Sequence, residues 1–127
     1  MQSIVHPGRT LVVSPHLDDA VLSCGEFLSA ASDATVVTVF AGMPADCGVS
    51  TDYDRQCGFV SAEHAMRTRW QEDRAALATL GVELMHLPCV DSQYAPLPDI
   101  ERLAGVFEQT LVAVSYTHLT LPTILRV

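Results

Sequence analysis

Apolar, β-branched residues crowd into three short runs: TLVVS at residues 10–14, ATVVTVF at 34–40 and VELMHL at 82–87. Short runs of this kind, bounded by polar residues, predict buried strands. The stretches between them carry a helical period. Val21, Cys24 and Leu28 fall at i, i+3 and i+7 and predict a helix over about residues 19–31. Asp18 or Asp19 suits its N-cap. A second helical pattern covers residues 61–80, and Gly81 is its natural stop. A third helix opens at Pro98 or Asp99 and runs to about residue 112. Residues 42–59 and 88–98 show no period, are rich in turn formers, and predict surface loops. A loop as long as the first is uncommon unless it serves a site.

Strand, helix, strand with short joints is a βαβ unit, which implies a parallel sheet and a right-handed crossover. The alternation predicts an α/β protein, the start of a doubly wound, Rossmann-like parallel sheet cut off after about three β-α units. Ligands of such sheets bind beyond the carboxyl ends of the strands. The turn after the first strand and both long loops emerge at that end.

Composition narrows the function classes. The chain has 127 residues, of which 49% are hydrophobic and 17% charged, a balance that suits one folded domain. The net charge of −8 leaves no basic patch for nucleic acid or an anionic membrane. All seven basic residues are Arg, which we read as genome base composition. The N-terminus lacks the charged and apolar regions of a signal peptide, and no apolar run approaches the ~20 residues of a membrane span. Cys24, Cys47, Cys57 and Cys89 show no CxxC spacing. A Cys47–Cys57 disulfide is one option. The reading adopted is reduced thiols in a cytoplasmic protein.

The candidate chemistry lies in SPHLDDAVLSCG, residues 14–25. His supplies a neutral nitrogen ligand and Asp a hard anionic one, and both suit zinc. A turn between strand and helix can aim His16 and Asp19 at one ion. Asp18, between them, can face a water whose pKa the metal lowers. The same residues also suit a plainer role, with both aspartates as helix caps and His16 on the surface.

The stretch resembles the His-x-Asp-Asp motif of the LmbE/PIG-L family of zinc-dependent N-deacetylases. A second family motif, Arg-x-x-Glu followed by Ala-Ala and Leu-Gly, is matched by RWQEDRAALATLG at residues 69–81. VDSQY stands where the family carries an Asp-Ser pair after the next strand. The resemblance covers about residues 9–112 and implies the family's three-layer α/β sheet. It implies Zn2+ as cofactor, His16 and Asp19 as metal ligands, and Asp18 as general base. Arg69 and Asp91 become substrate contacts, although on their own terms Arg69 also suits a solvated helix face and Asp91 a turn. Glu72 is expected to pair along its helix or to support the first loop. His6, His64 and His86 are read as surface or strand-end residues. The implied reaction is hydrolysis of an N-acyl group, N-acetyl above all, from a small amino-sugar conjugate. Leu17 stands where many members have proline, which leaves the ligand spacing unchanged.

Family members draw a third zinc ligand from a later His-x-Asp-His segment, and this chain contains none. Residues 114–127, VSYTHLTLPTILRV, contain no Ala, Gly, Asp or Glu. They match translated sequencing-adapter read-through, although their composition would also suit an edge strand. The expectation is that residues 1–113 are the N-terminal part of one deacetylase domain, that 114–127 are a non-native tail, and that the 127-residue chain alone binds zinc weakly and is inactive. A reading from another class is a Mg2+-binding receiver-like signalling module, which also carries an acidic pair after its first strand. A receiver needs a Lys, and this chain has none.

Overall fold

A computed structural model describes residues 10–113. The tail at 114–127 lies outside the described residues, as does His6. Three strands, β1 (Thr10–Ser14), β2 (Ala34–Thr38) and β3 (Glu83–His86), form one parallel sheet in the order β1-β2-β3. The helices are α1 (Asp19–Ala30), α2 (Asp52–Gln56), α3 (Ala62–Thr79) and α4 (Ile100–Ala113). The predicted α/β fold is the observed one.

β2 is buried along its whole length, as the central strand of a covered parallel sheet must be. Alternate residues feed two cores. Val12, Ala34 and Val36 pack with Ala20 and Leu28 of α1 and Leu77 of α3. Leu11, Val37 and Val39 pack with Leu87 and with Leu103, Val106 and Phe107 of α4. The result is three layers, with α1 and α3 on one face and α4 on the other. Val21 and Cys24, expected on the apolar face of α1, pack against the first core. The helix deviates at Cys24, where φ is −126°, beside Gly25.

The main departure from the expected elements lies in the 42–59 loop, which contains α2. Thr51 caps that helix by accepting from the Asp54 amide at 3.0 Å, and Asp52 and Asp54 sit in its first turn. A helix this short has no hydrophobic period to read and exists by its cap and its neighbours. β2 also ends two residues earlier than its apolar run. Beyond Thr38, the Val39 and Phe40 amides bond to Ser14 and Pro15 on the way out of β1. Each of the four cysteines is a free thiol. Among the described residues no helix is long and apolar enough to cross a membrane.

Gly42 sits where the exits of β2 and β3 nearly touch. Its amide donates to the Cys89 carbonyl at 2.9 Å. A Cβ there would stand 2.9 Å from that same oxygen and closer still to the carbonyl of Pro88. Both neighbours are backbone and cannot rotate away. Gly42→Ala is therefore expected to lower stability by about 2 kcal/mol or more. Denaturant unfolding should show a lower midpoint at unchanged slope; an unchanged midpoint would contradict the close approach.

Candidate active site

The row Ser14, Thr38 and His86 marks the carboxyl ends of the three strands. Immediately beyond β1 the chain turns through His16, Leu17 and Asp18 into α1. Ser14 organises this turn, since its hydroxyl donates to the His16 carbonyl at 2.7 Å and accepts from the Ala20 amide at 3.2 Å. Asp19 Oδ2 accepts from the His16 amide at 3.0 Å and lies 3.5 Å from His16 Nδ1. The other ring nitrogen, Nε2, faces Asp91 Oδ1 at 3.3 Å, and the ring stacks on Phe40. Asp18 occupies the N-cap position of α1, but its side chain caps nothing. Its φ of 72° makes it the single non-glycine residue with positive φ among the described residues. Its carboxyl is pushed above the ordinary range by burial first, then by the charges of Asp73, Glu72 and Asp19, with Arg69 opposing.

Helix α3 lies beneath this turn. Its buried stripe runs through Ala62, Ala65, Met66 and Leu77, and Asp73 stands in that stripe. Asp73 Oδ1 accepts from the Asp18 amide at 3.2 Å, and Oδ2 pairs with His86 Nε2 at 2.8 Å. Glu72, expected to pair along its helix or to support the first loop, is exposed and acts on the turn through its charge, which adds to the upward shift of Asp18; the hydrogen bond to the turn is made by its neighbour Asp73. His86 does end its strand, as expected, but it is paired with a carboxylate rather than exposed. His64 is a surface residue, with its ring edge against Phe59.

Arg69, one turn earlier on α3, holds a second buried carboxylate. Its guanidinium donates to Asp54 Oδ1 at 2.9 Å and to the Tyr94 hydroxyl at 3.5 Å. It also stacks over the rings of Phe59 and Tyr53. Asp54 is fully buried, and its other oxygen accepts from the Tyr94 hydroxyl. Burial opposes the charge on Arg69, but Asp54 and Tyr94 outweigh it and raise the pKa. Burial and the Asp54 carboxylate push the Tyr94 phenol up. Thr51 adds a 2.8 Å bond to Gln93. The 42–59 and 88–98 loops are thereby joined to each other and to α3.

Together these elements enclose a cavity of about 400 Å³. Of the five residues singled out from the sequence, His16, Asp19, Arg69 and Asp91 line it, with Phe40, Tyr53 and Met66 as apolar walls. Asp18 is not in the lining and stands beside it, among Asp73, Glu72 and Arg69. Asp54, Tyr94, Asp73 and the pairing of His86 were missed. A signal for two of these pairings was present: Arg69 and Asp73 interrupt an apolar stripe at i, i+3, i+7 and i+11 from Met66 to Leu77. Charges in such a stripe must find buried partners.

The donor set can be tested against zinc. Two ligand atoms bound tetrahedrally at zinc distances stand roughly 3.3 Å apart. His16 Nδ1 and Asp19 Oδ2, at 3.5 Å, fit two such positions. Among the described residues no group of three His, Cys, Asp or Glu side chains forms a metal-holding cluster.

The comparisons with known proteins bear on the fold and the family. A deacetylase of teicoplanin biosynthesis, solved with teicoplanin, is 26% identical with a TM-score of 0.73, over 87% of this chain and 56% of its own. The pseudoaglycone deacetylase Dbv21 is 36% identical with a TM-score of 0.69, over 84% of this chain and 46% of its own. A zinc-inhibited form of teicoplanin deacetylase Orf2 is 38% identical with a TM-score of 0.60, over 72% of this chain and 37% of its own. The chain thus spans about half the length, or less, of the structures it matches. No curated protein matches it. The family model described as GlcNAc-PI de-N-acetylase, PIG-L, matches residues 11–120, and the chain belongs to that family of deacetylases.

Proposed function

We propose that the whole protein is a zinc-dependent amidohydrolase that removes an N-acyl group, acetyl first among them, from a small amino-sugar conjugate. The observation that carries this reading is the His16–Asp19 donor pair, spaced for one ion and facing a cavity, in a chain matched by a de-N-acetylase family. The deacetylases of teicoplanin biosynthesis among its structural relatives support a glycosylated natural product as one form of that conjugate. Free thiols support a reducing, cytoplasmic setting.

His16 and Asp19 would hold the metal, which polarises an amide carbonyl and acidifies water when bound. A proton on His16 Nε2, shared with Asp91, leaves the Nδ1 lone pair facing Asp19. Asp18 accepts the proton of the attacking water. Arg69 and Asp91 offer a cation and an acceptor to sugar hydroxyls at the cavity wall. As the water oxygen bonds to the amide carbon a tetrahedral intermediate forms, and its C–N bond breaks as Asp18 passes the proton it took to the leaving nitrogen, giving free amine and carboxylate.

Release of acetate from N-acetylglucosaminyl conjugates by the whole protein, abolished by a chelator and restored by zinc, tests the reading. Absence of any amide hydrolysis in zinc-loaded whole protein would refute it. Asp18→Asn is expected to lower turnover about 10²–10⁴-fold, the usual scale for a general base, with bound zinc unchanged by elemental analysis. His16→Ala should lose zinc and activity together. Equal zinc loss in both variants would mean that the roles of ligand and base are misassigned.

A further inference from the structure

Asp73 is charged, lies in the apolar stripe of α3 and is only 2% exposed. A carboxylate in such a position is costly unless each of its oxygens is satisfied. His86, at the end of β3, satisfies Oδ2 at 2.8 Å. Oδ1 is left for one partner, the main-chain N–H of Asp18 at 3.2 Å. The neighbouring amides of that turn find acceptors within the turn itself: His16 in Asp19, Asp19 in the His16 carbonyl, and Ala20 in Ser14. Asp18 alone among them reaches across to a residue 55 positions away. Asp18 is also the residue in the left-handed region, at φ 72° and ψ −14°. Asp enters that region more readily than most side chains but still at a cost, so a bond that holds its amide biases the chain towards the conformation.

We propose that Asp73, itself held by His86, is a positioning residue of the reaction: its carboxylate locks the Asp18 backbone in the left-handed conformation and so sets where the Asp18 carboxylate stands relative to His16 and Asp19. This rests on the deacetylase reading above. It adds a pair that reaches the reacting atoms only through the main chain of another residue. A side chain at Asp18 moves with its own φ, so releasing the amide swings the carboxylate while His16 and Asp19 stay bonded to each other. A misplacement of about 1 Å at a reacting group can cost on the order of 100-fold in rate.

The test is Asp73→Leu, which fills the same stripe without a charge, beside Asp73→Asn, which keeps one acceptor oxygen. Backbone NMR of the full chain reads the Asp18 amide directly. In Asp73→Leu that amide should exchange on the order of 10-fold faster, the scale of one lost hydrogen bond. The Asp18 carbon shifts should leave the left-handed range, while the amides of Val12, Val36 and Leu77 keep their protection. Asp73→Asn should retain most of the Asp18 protection. In the zinc-loaded whole protein, Asp73→Leu should lower kcat about 10–100-fold with KM and zinc content near wild type. Unchanged Asp18 exchange and shifts in Asp73→Leu would overturn the proposal. So would an equal loss of protection across the whole core, since that is a general structural role. Wild-type protein with zinc but no hydrolysis would refute the deacetylase reading, and the amide measurement would still decide whether Asp73 anchors the turn.

Discussion

Everything at the candidate site depends on parallel register. Ser14, Thr38 and His86 are paired in one row, so the three strands end together and the chain leaves each at the same edge of the sheet. A parallel strand cannot be followed by a tight hairpin. Each connection must run out over that edge and return by a helix. The His16–Asp19 turn, the 42–59 loop and the 88–98 loop are therefore neighbours by topology, before any side chain chooses a partner. The close approach of Gly42 to the Pro88 and Cys89 carbonyls is the same constraint at atomic scale.

Charge then does what apolar burial cannot do at such an edge. Helix α3 places two charged residues of opposite sign on its inward side, the partly buried Arg69 and the buried Asp73. Each holds a different loop or turn. Arg69 neutralises the fully buried Asp54 and, with Tyr94, ties the two long loops together. Asp73 joins β3 to the start of α1. Breaking one partner of a buried pair leaves an uncompensated charge, at about 3–5 kcal/mol. Directional bonds of this kind fix the walls of the cavity more sharply than the non-directional packing of Phe40, Tyr53 and Met66 can.

Near the metal-ligand candidates the balance differs. His16 is half exposed and its contacts, at 3.3 and 3.5 Å, are loose beside the 2.8 Å bond of His86 to Asp73. A rigid, buried frame with an accessible pair of donors at its rim suits a site that takes up an ion and a substrate from solvent. The frame comes from α3 and β3, and the donors come from the turn after β1.

The sequence by itself determined the elements that depend on local pattern. The three strands, α1, α3 and α4 follow from period and stop signals, with ends within about two residues, as boundaries usually are. It also determined which residue types stand next to each other in His16–Asp19, since three positions across one turn are fixed by the chain. The tertiary structure alone decided the partners of Asp54, Asp73, His86 and Tyr94, which lie 13 to 55 residues away from the groups they bind. It also decided that α2 exists and that Asp18 is left-handed. The physical reason is range. Hydrophobic period and capping act within one or two turns of chain, whereas a buried charge is indifferent to sequence separation and takes whichever partner the packed sheet brings within hydrogen-bond reach.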